Sequence, residues 1–109
     1  MKKSLLLAFA LALFASSWRE EAITSIDKII GIYQHRLHCL KTQEAITCID
    51  RFPQDPHSDA LAKTFAMSFP KAFYANKLSR DIEILEHQKL CYGKALTQEA
   101  AKECATNLR

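Results

Sequence analysis

The chain has 109 residues with a formal net charge of +3, and it carries four cysteines but only two glycines and three prolines. So few turn-formers exclude a β-sandwich, and the near-neutral balance gives no basic footprint for nucleic acid. The length suits one small domain whose core alone supplies modest stability.

The first element reads as an export signal. Lys2 and Lys3 form a basic start, Leu5 to Ala15 an uncharged apolar run, and Ala15, Ser16 and Ser17 a small-residue stretch before the chain turns polar at Arg19, Glu20 and Glu21. That order is a secretory signal peptide over 1–17, with Ala15 and Ser17 at the −3 and −1 sites and cleavage after Ser17. The apolar run is about 11 residues, well short of the roughly 20 that span a bilayer. An uncleaved anchor is the rival reading and the only one that attaches the chain to a membrane. Cleavage leaves residues 18–109, 92 residues whose formal charge is +1. Four cysteines in a small exported chain read as two disulfides, and the compartment is periplasmic or extracellular.

The mature part is expected to be all-α, a single domain of about five helices. Ile23, Ile26, Ile30, Tyr33, Leu37 and Leu40 step by three and four, which predicts an apolar stripe along a helix over about 21–40. Thr42 is placed to cap a second helix, with Glu44 in its first turn and Ala45, Ile46 and Ile49 on its apolar side. That helix should stop near Arg51, because Pro53 disfavours helix at Phe52. Phe52 to Asp59 forms a loop. Ser58 or Asp59 then caps a third helix through Leu61, Phe65 and Phe69, which Pro70 ends. Pro70 opens a fourth helix carrying Phe73, Leu78, Ile82, Leu85 and Leu90 to about Tyr92, with Gly93 as its stop. Ser79 could restart that helix after an interruption near Asn76. Thr97 caps a last helix, with Glu99 in its first turn, running to Asn107.

Two segments repeat. Ile30-Gly-Ile-Tyr-Gln-His35-Arg-Leu-His-Cys39 and Ile82-Glu-Ile-Leu-Glu-His87-Gln-Lys-Leu-Cys91 share Ile, Ile, His and Cys at a constant offset of 52. Each is followed by Thr-Gln-Glu-Ala, at 42–45 and 97–100, and each closes on a cysteine, Cys48 or Cys104. The matched His and the four-residue block exceed what a helical hairpin requires, which favours duplication. The domain divides into hairpin unit 1 (about 21–52), a connecting loop and helix (53–69), and hairpin unit 2 (about 70–109). The repeat favours Cys39–Cys48 and Cys91–Cys104, since a short turn brings the end of one helix beside the start of the next. Each bridge closes a loop worth about 2–3 kcal/mol in the chain-entropy picture.

The competing chemistry is metal binding. His35 and Cys39, and His87 and Cys91, are four apart on one helix face, and Cys48 or Cys104 completes a Cys₂His set for zinc or copper. His38 adds a further donor in the first unit, where the second has Leu90. An oxidising compartment favours the disulfides over thiolates. The alternating Asp55-Pro56-His57-Ser58-Asp59 is better explained by turn and cap duty than by ligation.

Enzyme signatures are lacking. There is no Cys-x-x-Cys, Cys-x-x-Cys-His, Gly-x-Ser-x-Gly or His-Glu-x-x-His, and no cofactor fingerprint. Glu83, Glu86 and His87 share a helix, but solvated surface explains them and nothing marks a nucleophile. The stretch Cys91-Tyr-Gly-Lys-Ala-Leu-Thr-Gln-Glu-Ala-Ala-Lys-Glu-Cys104-Ala resembles the cysteine-bounded motif of small exported lysozyme-inhibitor modules, and Cys39 to Cys48 resembles it more weakly. That resemblance implies inhibition of a cell-wall enzyme. The sequence therefore points to an exported, non-enzymatic binding, inhibitor or assembly module, with a protein partner in the envelope or outside and no cofactor. Tyr33, Phe73 and Tyr74 are the candidate contacts, and Phe52, Phe65 and Phe69 are assigned to the core.

Overall fold

The computed structural model describes the backbone of residues 2–106 and the side chains of residues 18–104. Over those residues it is all-helical: α1 Lys2–Cys39, α2 Ala45–Arg51, α3 Pro56–Ser68, α4 Lys71–Lys94 and α5 Gln98–Thr106. Helix α1 starts well before residue 21, and its backbone runs unbroken past the cleavage point expected after Ser17. The side chains of the expected signal segment, and the expected end of the last helix at Asn107, lie outside the described residues. Two compact units are present, Lys28–Leu85 and a second made of Met1–Asp27 with Glu86–Arg109.

In Lys28–Leu85 the core gathers Cys39, Leu40, Ala45, Cys48, Ile49, Tyr74 and Leu78, with Tyr33, Leu37, Phe52, Ala62, Phe65, Ala66 and Ala75 packed against it. The stripe at steps of three and four puts Tyr33 and Leu37 of α1, and Leu40 just after it, on this side. Helix α2 has only seven residues, too few to hold alone in water. Its Cys48 and Ile49 are fully buried, and that burial fixes it.

Thr42 does not cap α2. Its N–H, with that of Gln43, bonds back to the Cys39 carbonyl at 3.1 and 2.9 Å, so it belongs to the turn that closes α1. The N-cap is Glu44, which makes no side-chain cap bond. Helix α2 ends at Arg51, as the downstream proline requires. The cap of α3 is Asp55, not Ser58 or Asp59: its carboxylate accepts from the Ser58 N–H at 2.8 Å. Pro56, with its preset φ, takes the first helical position, so the cap falls one residue before it. The Asp59 N–H already donates within the helix, to the Asp55 carbonyl at 2.9 Å.

Pro70 separates α3 from α4, and its carbonyl accepts from the N–H groups of Phe73 and Tyr74. No break occurs between Asn76 and Ser79. Burial of Leu78 at the centre of that stretch and the Lys77–Asp81 pair one turn apart, at 2.6 Å, hold the helix through it.

In the second unit α4 continues beyond Gly93 to Lys94. Gly93 has no positive φ, so it is not the left-handed stop its position suggested. The helix closes instead where the Ala95 N–H bonds to the carbonyls of Cys91 and Tyr92. Thr97 caps α5 as expected, its hydroxyl accepting from the Ala100 N–H at 3.1 Å. Glu99 lies in the first turn, where the helix dipole favours a negative charge. The buried residues here are Ile26, Ala95, Ala101 and Cys104. The Arg19 guanidinium donates to the Ala95 carbonyl, and Lys89 pairs with Asp27 at 2.7 Å.

Candidate functional site

The cysteines pair as the repeat predicts. Cys39–Cys48 and Cys91–Cys104 each span 5.7 Å between Cα atoms, and none of the four is free. In both cases the first cysteine lies in the last turn of a long helix, and the second lies in the short helix that follows. A bonded disulfide sulfur is not a thiolate, so the sulfurs required by the expected Cys₂His sets are already committed. The histidines do not converge on them either. His35 stacks on Phe52, with ring centroids 5.1 Å apart and planes at 14°, while His38 and His87 are exposed. Among the described residues no three His, Cys, Asp or Glu side chains are placed to hold a metal ion.

The three expected contact residues separate. Tyr74 is 1% exposed and belongs to the core, which corrects its assignment as a contact. It sits one turn before Leu78 on the inward stripe of α4. Tyr33 is half-buried against the same core, its hydroxyl donating to Gln54 Oε1 at 2.9 Å. Phe73 is 53% exposed. Phe69, assigned to the core from its spacing, is 47% exposed. It occupies the C-cap of α3 with extended backbone, so the helical period no longer governs its direction. Phe65, one turn earlier, takes the core contact.

The chemistry that sequence reasoning missed centres on Arg36. Its side chain is 1% exposed, and each of its three nitrogens has a partner. Nε donates to the Phe52 carbonyl at 2.8 Å, Nη2 to Asp59 Oδ1 at 2.8 Å, and Nη1 makes a longer contact to the Tyr74 hydroxyl at 3.4 Å. Tyr33 lies under the guanidinium, 5.8 Å from its ring centroid. Asp59 also accepts from the Gln54 N–H at 3.0 and 3.2 Å. A buried cation thus ties α1 to the 52–55 loop, to α3 and to α4. The available signal was a charge at position 36, inside the stripe of Tyr33, Leu37 and Leu40.

A cleft of about 290 Å³ opens beside this centre, lined by Tyr33, Arg36, Gln54, Phe65, Lys77 and Asp81 among others. Burial pushes the phenols of Tyr33 and Tyr74 above their ordinary value. Asp81 adds to the rise at Tyr33, and the Arg36 guanidinium offsets part of it at both. Both phenols are therefore neutral hydrogen-bonding groups at physiological pH, not bases. Glu83, Glu86 and His87 are all exposed and none lines the cleft.

A second surface feature lies at the corner between α3 and α4. Phe65, Phe69 and Phe73 form a ladder with centroid separations of 4.7 and 6.1 Å. Phe65 anchors this ladder to the core, and the other two rings are about half exposed. The chain matches no family model, no curated protein and no solved structure.

Proposed function

We propose that this protein is a small exported, non-enzymatic helical module that works by binding, as an inhibitor or assembly component in the periplasm or outside the cell. The observation that carries this reading is the pair of local disulfides, together with the exposed Phe69 and Phe73 at the corner between α3 and α4. Disulfides persist in oxidising compartments, and among the described residues no helix is long and apolar enough to cross a membrane. The basic, apolar and small-residue order of 1–17 supports secretion by the same route. The Arg36 centre supports a rigid scaffold: each of its three nitrogens bonds inside the fold, so it holds elements together.

Phe69 and Phe73 supply the contact surface, because large apolar side chains grouped in solvent mark interaction sites. The test is a photo-crosslinking residue substituted at Phe73 in the full chain, expressed with its own N-terminus. The expected result is protein in the envelope or medium fraction, free of thiols, and cross-linked to a component there. Reduced protein retained in the cytoplasm, or no cross-linked product, would count against the reading.

A further inference from the structure

The cleft beside Arg36 is rich in hydrogen-bond donors. Arg36 and Tyr74 both line it, and each is 1% exposed. An arginine side chain carries five N–H donors, so the bonds to the Phe52 carbonyl, Asp59 and Tyr74 leave N–H groups to spare. The Tyr74 hydroxyl accepts from Arg36, and among the described residues no group accepts its own proton. Gln54 accepts from Tyr33 through Oε1, and among the described residues its side-chain N–H groups have no acceptor. Donors left over in a sheltered place favour a ligand that brings an acceptor.

The rest of the cleft differs in kind. Helix α3 lines it with the apolar Leu61, Ala62 and Phe65. On α4, Tyr74, Leu78 and Asp81 step by four and three, which brings a carboxylate to the same cleft. Lys77 donates to Asp81 Oδ2 at 2.6 Å, and Oδ1 takes no hydrogen bond among the described residues. Arg36 is balanced by Asp59 and Lys77 by Asp81, so these pairs leave no net charge. The volume of about 290 Å³ lies at the lower edge of small-molecule sites, which run to about 300–1,000 Å³.

We infer that this cleft binds a free α-amino acid with an apolar or aromatic side chain. The carboxylate of the ligand takes the spare donors of Arg36, Tyr74 and Gln54. Its ammonium meets Asp81 Oδ1, and its side chain lies against Leu61, Ala62 and Phe65. A zwitterion suits a cleft without net charge, whereas a plain anion or cation brings a charge with no counterpart. The site does not depend on the exposed Phe69 and Phe73 rings, and its failure would leave the role proposed for them standing.

The experiment is isothermal titration calorimetry of the exported protein. The probes are L-phenylalanine beside 3-phenylpropionate and 2-phenylethylamine, and L-leucine beside 4-methylpentanoate and 3-methylbutylamine. At least one amino acid is expected to bind, about tenfold tighter than its analogue without the ammonium or without the carboxylate. Asp81→Asn should lower the affinity for the amino acid to that of the matching acid, with the acid itself bound no more weakly than by the parent. Leu61→Lys, at a wall residue that is 60% exposed, should weaken the amino acid about tenfold. Unchanged helicity with no free thiols confirms that each variant is folded. Three results would overturn the inference: neither amino acid binds, an analogue binds as tightly as its amino acid, or either variant binds like the parent.

Discussion

The two stapled repeats share a covalent plan and differ in what surrounds it. Around Cys39–Cys48, the charge at position 36 is buried and its partners come from three other stretches of chain. The repeat places Gln88 at the matching position, half-buried, on a helix whose His87 and Leu90 face solvent. Cys48 and Ile49 sit in the core of the first unit, whereas the turn of the second repeat exposes Leu96 almost completely, at 86%. A disulfide thus fixes a turn in both places. In the first, the following segment packs Phe52 against the core and bonds to Arg36 through the Phe52 carbonyl and Asp59, while the segment after Cys104 lies outside the described side chains.

The comparison is broken most severely at Asp59. In Asp59→Ala the buried Arg36 guanidinium loses its counter-charge and the Gln54 N–H its acceptor. A loss of about 3–5 kcal/mol is expected in urea denaturation. In the second repeat Gln88→Ala, at the position that matches Arg36, should stay within about 0.5 kcal/mol. Similar values for the two would mean that the Arg36 centre contributes no special stability.

Removing each staple sharpens the comparison further. From sequence separations of 9 and 13, chain entropy alone assigns about 2.6 kcal/mol to the first bridge and about 2.9 to the second. Core burial should reverse that order. Cys39→Ala/Cys48→Ala is expected to cost about 1 kcal/mol more than Cys91→Ala/Cys104→Ala, because both its sulfurs are buried and Cys91 is only half-buried. The same exposure should let a thiol reductant open the second bridge first. A larger loss for the second pair would show that loop length outweighs packing.

How much of this was legible in the sequence depends on whether the signal was local. Helix number, the ends set by Pro53 and Pro70, and both disulfides followed from spacing, because each rests on neighbours within one or two turns. Direction of burial was legible only where the helical period holds. It placed Phe65 correctly and failed at Phe69, where the chain leaves the helix. Tyr74 looked like a contact because an aromatic beside Phe73 does not reveal which of the two faces inward. The Arg36 centre was not legible, since its partners lie 16, 23 and 38 residues away. The cap of α3 was misplaced because Pro56 was read as a loop residue instead of the first residue of a helix.

The repeated Thr-Gln-Glu-Ala block gives a smaller and cleaner contrast. Thr97 caps α5 through its hydroxyl, whereas Thr42 is spent in the turn after α1. Thr97→Ala should cost about 1 kcal/mol and raise amide exchange in α5, and Thr42→Ala should cost much less. Equal losses would mean that the two blocks do the same work.

The smallest effect concerns Asp55, whose carboxylate lies below its ordinary value of 3.8 chiefly through the hydrogen bond from the Ser58 backbone. A depressed carboxylate contributes stability that is present above its unfolded-state value and is lost as pH falls through the folded one. Asp55→Asn keeps a capping oxygen but removes that charge. The variant should therefore be less sensitive than the parent to acid below the ordinary Asp range, as followed by urea midpoints against pH. Identical acid profiles would remove Asp55 from the account.

The most direct test of the stapled-repeat architecture is peptide mapping by mass spectrometry, without reduction, of protein recovered from an oxidising compartment. Cleavage at Lys41, and at Lys94 and Lys102, falls inside the two closed loops. The account expects linked peptides joining Cys39 to Cys48 and Cys91 to Cys104, with no free thiol. Links from either of the first two cysteines to either of the last two, or free thiols holding a metal ion, would contradict it.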